Sequence, residues 1–283
     1  MSEKGMRVHI EPVKRTSYMT AVIRAEENRQ PDRYLSDPFA PFLFSSADKA
    51  AADAALDAGG TVGSVIVRGL FGDQVLEEGE KRGCSQAVSL GAGSETRAWR
   101  LGLKSDFRFF EIDFPGQLRA KEEILTLRGM APTCHRVAVD CDLRNRGWEE
   151  QLVSAGFDPL APTIWIIEGL LPYLNRREAD LLMRSVTGIS SPRSQLVVDA
   201  PHSQFFADPQ NYRFLQFMSA HGSPFIQGFD DLAGFLNSHG WNAEAFLLED
   251  LARGACSWLP KAPSRLCPPN DRHWIARAEI LSK

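Results

Sequence analysis

The residues best placed to do chemistry lie in one stretch, Gln86–Asp113, which reads QAVSLGAGSETRAWRLGLKSDFRFFEID. An apolar run, 86–90, meets a small-residue turn, Gly91-Ala92-Gly93-Ser94. A short helical pattern follows, and a second apolar run, 107–112, ends on Asp113. This is the opening of a nucleotide-binding βαβ unit. Glycines at the first turn admit a ligand to the backbone, and an acid closing the second strand accepts from a ribose diol. Asp113 stands twenty residues beyond Gly93, the usual interval for that pair.

The turn reads G-A-G-S-E-T and lacks the third glycine of a dinucleotide fingerprint. Glu95 sits where helix N–H groups would otherwise meet a pyrophosphate. S-adenosylmethionine has no phosphate and carries a sulfonium cation, so an acidic glycine turn suits it better than NAD.

Further acids fall at strand ends. Asp142 follows a third apolar run and Glu168 directly follows a fourth. In an open α/β sheet such positions converge on one crevice. Asp113 is then expected at the ribose hydroxyls. Asp142 is expected at the adenine amino group, with the Leu143 N–H on a ring nitrogen; alternatively Asp142 caps a turn. An acid at Glu168 beside a sulfonium or ammonium would be stabilised.

For the acceptor, methyl transfer needs alignment and exclusion of water more than it needs a base. A carboxylate acceptor is already ionised, whereas a phenol would gain from a base. His202, just past the fifth strand, is the candidate base, or else a loop hydrogen bonder. Tyr173, Phe205, Phe206, Tyr212 and Phe214 can wall an aromatic pocket, or the phenylalanines can be core. Apart from His202 no second candidate base stands near a strand end, which favours a carboxylate acceptor.

Gly91–Leu101, Phe110–Pro115 with Lys121, Asp142–Arg144 and Glu168–Leu174, in that order, resemble the leucine carboxyl methyltransferase family. They are most similar to its bacterial branch, which includes polyketide O-methyltransferases. The resemblance runs from about residue 14 to about 201 and is loose beyond. It implies a class I S-adenosylmethionine-dependent methyltransferase fold: a Rossmann-like seven-stranded sheet in the order 3-2-1-4-5-7-6, with strand 7 antiparallel. It also implies that Arg68 and the pair Lys14-Arg15 serve the cofactor, that Glu168 contacts its methionine portion, and that the chemistry is O-methylation of a small-molecule carboxylate or hydroxyl, as in secondary metabolism. Arg24 is a further candidate. The family's carboxyl methyltransferases also favour a carboxylate acceptor. Alternatives are methylation of a protein C-terminal carboxylate, a nicotinamide-dependent oxidoreductase, and a cofactor-binding module without catalysis.

The elements that must position these groups follow from pattern. Three helices, 16–30, 46–58 and 61–82, precede the first strand and are expected to form a cap over residues 1–82. Strands at 86–90, 107–112, 135–139, 163–167 and 195–200 alternate with helices near 95–101, 115–129, 147–155 and 175–189, which implies a parallel sheet. Residues 201–227 read as an inserted lid with a helix at 209–220. A helix at 229–239, a strand at 241–248 and a strand at 272–281 close one domain, 1–283. The proline-rich stretch 254–271 reads as an exposed excursion.

Composition sets outer bounds. The 283 residues are 43% hydrophobic and 24% charged, ordinary for a soluble globule. A net charge of −4 indicates no nucleic-acid partner. Five cysteines with no C-x-x-C suit a reduced cytoplasm. No apolar run approaches a membrane span, the N-terminus lacks a signal-peptide core, and no metal site is read.

Overall fold

A computed structural model describes residues 12–281, with only the backbone given for residues 12–15. Three helices come first: α1 (Pro12–Glu27), α2 (Ser46–Asp57) and α3 (Gly63–Lys81). The alternating part follows as β1 (Gln86–Leu90), α4 (Arg97–Arg100), β2 (Arg108–Asp113), α5 (Gln117–Thr126), β3 (His135–Asp140), α6 (Trp148–Ser154), β4 (Thr163–Ile167), α7 (Arg176–Gly188) and β5 (Gln195–Pro201). The chain ends with α8 (Gln204–Ala207), α9 (Tyr212–Ala220), α10 (Leu232–Asn237), β6 (Trp241–Leu247), α11 (Leu248–Arg253) and β7 (His273–Ile280).

The strands form one sheet in the order β3-β2-β1-β4-β5-β7-β6. The first five are mutually parallel, and β7 pairs antiparallel with both β5 and β6. This is the order and polarity that the resemblance implies. Alternate strand residues feed two cores, as a sheet covered on both faces requires. Ala87, Phe109, Ile164, Ile166 and Val197 pack with Phe71 and Leu76 of α3. Val88, Phe110, Trp165, Ile167 and Val198 pack on the other face with Trp148, Met183 and Leu236, from α6, α7 and α10.

Local chemistry explains several boundaries. Ser45 and Asp48 make a reciprocal capping box at α2, and Asn175 and Glu178 do the same at α7. Within the described residues the first helix covers Pro12–Glu27, so it includes residues ahead of the expected start at 16 and stops short of the expected end at 30.

Two expectations are corrected. The strand expected to run to 248 ends at Leu247, and the chain turns directly into α11. The stretch 254–271 is not an exposed excursion. Cys256, Leu259, Ala262 and Leu266 are buried in the α3-side core, and Trp258 meets the Phe71 ring edge-on at 4.8 Å. Its prolines break regular structure without keeping its apolar side chains in water.

Candidate functional site

A cavity opens at the carboxyl ends of β1, β2, β4 and β5. Its walls come from α1, α2, α3 and the segment after β5. Gly91, Ala92, Gly93, Asp113, Arg68, Glu168 and Tyr173, all expected at the site, line this cavity together.

The glycine turn is built to pass close under α1. The Gly91 and Ala92 N–H groups both donate to the Ile112 carbonyl, at 2.8 and 3.1 Å, tying the turn to β2. Gly91 and Gly93 adopt φ of +72° and +47°, which glycine tolerates without strain. A side chain at residue 93 would bring its Cβ to 2.7 Å from Ser17 Cβ. The Gly93 N–H donates to Asp113 Oδ2 at 2.6 Å, and the Phe114 N–H donates to Oδ1 at 2.7 Å. Burial nevertheless pushes the Asp113 carboxyl above its usual range, outweighing those two donors. It is an acid in want of a further hydrogen-bond donor.

Glu168 directly follows β4, beside a buried arginine. Arg97 Nη2 and Nη1 donate to its two oxygens at 2.8 and 3.2 Å. The same guanidinium reaches Asp73 at 2.7 Å, Glu95 at 3.1 Å and the Gly69 carbonyl at 2.8 Å. Burial pushes the Glu168 carboxyl up to about 7 despite Arg97 and Arg68. Glu95 lies two residues ahead of α4; it accepts from the Arg97 N–H at 3.2 Å and from Ser89 Oγ at 2.9 Å.

Arg68 lies on α3 and donates through Nη1 to Asp199 Oδ2 at 3.0 Å. Asp199 Oδ1 accepts from the Gly169 N–H at 2.6 Å, and Oδ2 also lies 2.5 Å from His273 Nε2. Arg24 lines the cavity too, donating to Asp37 at 2.8 Å and to the Ser94 carbonyl at 2.7 Å. Burial opposes the Asp37 charge, yet Arg24 and Arg100 hold its carboxyl below the usual range.

Tyr173 packs edge-on against Phe225, and burial pushes its hydroxyl up. Phe205, Phe214, Phe225 and Met218 make the apolar end of the cavity.

Other expected residues fall elsewhere. His202 does not line the cavity. Its Nδ1 accepts from the Gln204 N–H at 3.0 Å, and its ring stacks on Trp274. That is the loop hydrogen bonder weighed as its alternative. Asp142 and Leu143 also lie outside the lining. Asp142 is clasped by Arg144 at 2.6 and 2.9 Å, which holds its carboxyl low, and Leu143 packs on the α7-side core. Arg144 in turn stacks over Phe114, a cavity residue, at 5.4 Å. The Arg15 side chain, like that of Lys14, lies outside the described residues.

Reading by motif missed Asp199, His273 and Arg97. Asp199 had a signal: it is an acid inside the otherwise apolar strand QLVVDAP. Buried acids are rarely left unpartnered. His273 and Arg97 had none, because their significance lies in what the fold brings beside them.

The sequence profile of the leucine carboxyl methyltransferase family matches residues 17–187. The chain belongs to that family. The matched span holds the glycine turn, Asp113, Asp142 and Glu168, and ends before Asp199 and His273. Two proteins named "Putative S-adenosyl-L-methionine-dependent methyltransferase" are similar over much of the chain. One, from Parafrankia sp. (strain EAN1pec), is 37% identical over 205 residues, 70% of this chain and 66% of that relative. The other, from Mycobacterium marinum (strain ATCC BAA-535 / M), is 31% identical over 283 residues, 89% of each. Among solved structures, a "putative methyltransferase" from Thermobifida fusca YX superposes with a TM-score of 0.64 at 15% identity, over 94% of both chains. A DUF574 family protein from Streptomyces avermitilis MA-4680 gives 0.62 at 14% identity, over 95% of this chain and all of the other. Both likenesses concern the fold. This leucine carboxyl methyltransferase family member has the class I methyltransferase fold, and its glycine turn and strand-end acids occupy that fold's ligand-binding edge.

Proposed function

We propose that this chain is an S-adenosylmethionine-dependent O-methyltransferase acting on a carboxylate or hydroxyl of a small molecule, such as a secondary metabolite. The observation that carries the reading is the charge around the glycine turn. Asp37, Glu95, Asp113 and Glu168 all line the cavity there. The neighbouring guanidinium groups of Arg24, Arg97 and Arg100 are already engaged by acids. Among the described residues, every guanidinium beside the turn is already paired with an acid, so a pyrophosphate there would meet carboxylates at a large electrostatic cost. A ligand with a diol, a sulfonium and an ammonium fits that set of acceptors.

Within it, Asp113 would take the ribose hydroxyls and Arg68 the cofactor's carboxylate. Glu168 would face the ammonium, whose charge would favour the ionised acid that burial disfavours. Asp142 and Leu143 do not line the cavity, so an adenine role for them would need the Asp142–Arg144 clasp to open. When bound, the cofactor supplies a methyl group activated on sulfur. The chain's own part is to align the acceptor and exclude water, which the wall of Tyr173, Phe205, Phe214 and Phe225 favours. That wall also suits a small apolar acceptor. Five free cysteines support a reducing compartment such as the cytoplasm.

Titration calorimetry with S-adenosylmethionine, S-adenosylhomocysteine and NAD tests the reading. The first two are expected to bind and NAD is not. Binding of NAD in preference to both would overturn it.

A further inference from the structure

At the far end of the cavity from the glycine turn stands a pair of groups that the cofactor assignment leaves unused. His273 opens β7, which runs antiparallel to β5, so its ring arrives at the ligand-binding edge opposite Pro201. It lines the cavity near Thr61, Ser64 and Phe205. Its Nε2 lies 2.5 Å from Asp199 Oδ2.

Asp199 is fully buried, and its position is over-determined. The Gly169 N–H holds one oxygen at 2.6 Å, while Arg68 and His273 share the other. Burial opposes the charge on Asp199, but Arg68 and His273 keep its carboxyl down at about 2. It is therefore ionised at neutral pH and can only accept. The proton between the two groups belongs to Nε2. In the neutral ring Nδ1 then carries the lone pair. Among the described residues, no group hydrogen-bonds to Nδ1.

The charges around this ring matter for the acceptor. Asp199 faces it from β5, Arg68 from α3, and Asp271 from the turn leading into β7. Asp271 is buried and accepts from Thr61 Oγ1 at 2.5 Å and from the Ser64 N–H at 3.2 Å. Glu168 and Tyr173 complete the polar surroundings. Burial already pushes the Asp271 and Glu168 carboxyls above their usual range, so this end of the cavity disfavours a further carboxylate, and Arg68 is held by Asp199 and assigned to the cofactor. A neutral hydroxyl meets no such penalty, and it needs a base.

We infer that His273, oriented by Asp199, is the general base of this site, and that the acceptor is a hydroxyl on a flat apolar body, a phenol being the fitting class. The inference rests on the O-methyltransferase reading above and narrows it. It reverses the preference for a carboxylate acceptor, which stood on the resembled family's carboxyl methyltransferases and on the want of a second candidate base beside His202. In the step, the acceptor O–H proton passes to His273 Nδ1. The acceptor oxygen forms its bond to the methyl carbon as the methyl–sulfur bond breaks, and that electron pair stays on sulfur. The imidazolium, stabilised by Asp199, later yields its proton to water. Asp199 touches no reacting atom; it is a positioning residue that fixes the tautomer.

The tautomer can be read without any acceptor. Long-range proton–nitrogen spectra of the full chain with nitrogen-15-labelled histidine report which ring nitrogen bears the proton. His273→Gln identifies the resonance by its disappearance, and Asp199→Asn identifies it by its shift. The expected state is Nε2–H with a bare Nδ1. A proton on Nδ1 in the neutral ring, or a ring that stays charged from pH 6 to 9, overturns the inference. A second arm uses 2-naphthol and 2-naphthoate as probe acceptors with methyl-labelled S-adenosylmethionine. Label is expected on 2-naphthol, and His273→Gln should lose about 10²-fold or more in rate together with the wild type's acid limb. Its S-adenosylhomocysteine affinity should stay within about twofold, because Arg68 keeps its own bond to Asp199. Labelling of 2-naphthoate that ignores His273→Gln overturns the inference. Failure of S-adenosylhomocysteine to bind the wild type would instead overturn the underlying reading.

Discussion

Arg97 holds both oxygens of Glu168, at 2.8 and 3.2 Å, although the two residues lie seventy-one positions apart in the chain. One guanidinium thereby joins the short helix after β1 to the end of β4, across the floor of the cavity. It also neutralises Asp73 and Glu95. Charges this buried are costly unless paired, and here one cation serves three acids.

Replacing Arg97 with methionine should therefore be severe. The side chain is 1% exposed, and its loss leaves uncompensated buried carboxylates. The expected cost is about 3–5 kcal/mol, read from urea unfolding. A loss below about 1 kcal/mol would mean that water or Arg68 neutralises the acids in its place.

Gly72 faces this pair from α3. A Cβ there would stand 2.2 Å from Glu168 Oε1 and 2.7 Å from Arg97 Nη2. Gly72→Ala should cost about 1–3 kcal/mol by overpacking, against the usual helix gain for alanine. Gly188→Ala is the control, since nothing lies within 4 Å of its Cβ position. That variant should be neutral or slightly more stable. Equal stabilities for the two variants would show that the Arg97–Glu168 pair can move aside.

These residues also mark how far a sequence reading reaches. The glycine turn, Asp113 and Glu168 were legible because strand ends are set by apolar runs a few residues long, and an acid closing such a run is conspicuous. The sheet order was legible through the resemblance, and periodicity supplied only the alternation of elements. Arg97 was read as part of a helix turn, because its three acids come from other segments. His202 and His273 show the same limit. Both sit at an end of a strand beside the ligand edge, yet only the antiparallel return of β7 decides which ring reaches the cavity. The buried stretch 254–271 was misread because prolines report backbone, not burial.

Asp113 should matter for the cofactor more than for the fold. On the proposed assignment its loss would remove the acceptor for the ribose diol, and it frees the Gly93 and Phe114 N–H groups. Asp113→Ala is expected to weaken S-adenosylhomocysteine binding by about 1–3 kcal/mol, the range for an unsatisfied polar partner. Asp113→Asn keeps an acceptor oxygen and should lose less. Calorimetry on both variants checks the order. Unchanged affinity in Asp113→Ala would remove this residue from the cofactor site.

Two buried acids should impose opposite slopes on stability against pH. The Asp199 carboxyl is held at about 2, below its ordinary 3.8, so the folded state favours the ionised form. Its contribution is complete above pH 4 and is lost as pH falls through 4 toward 2. At 1.36 kcal/mol per pH unit the loss is about 2 kcal/mol. Asp199→Asn cannot titrate, so its stability should fall less steeply over that interval than the wild type's, even though it starts lower. Glu168 behaves inversely. Burial raises its carboxyl to about 7, so the folded state favours the protonated form, and stability declines as pH rises from about 4.5 to 7. Glu168→Gln should flatten that decline. Unfolding free energies measured at intervals from pH 2 to 8 on the three proteins separate the slopes. An acid slope in Asp199→Asn equal to the wild type's would mean that the Arg68 and His273 contacts leave Asp199 an ordinary carboxylate.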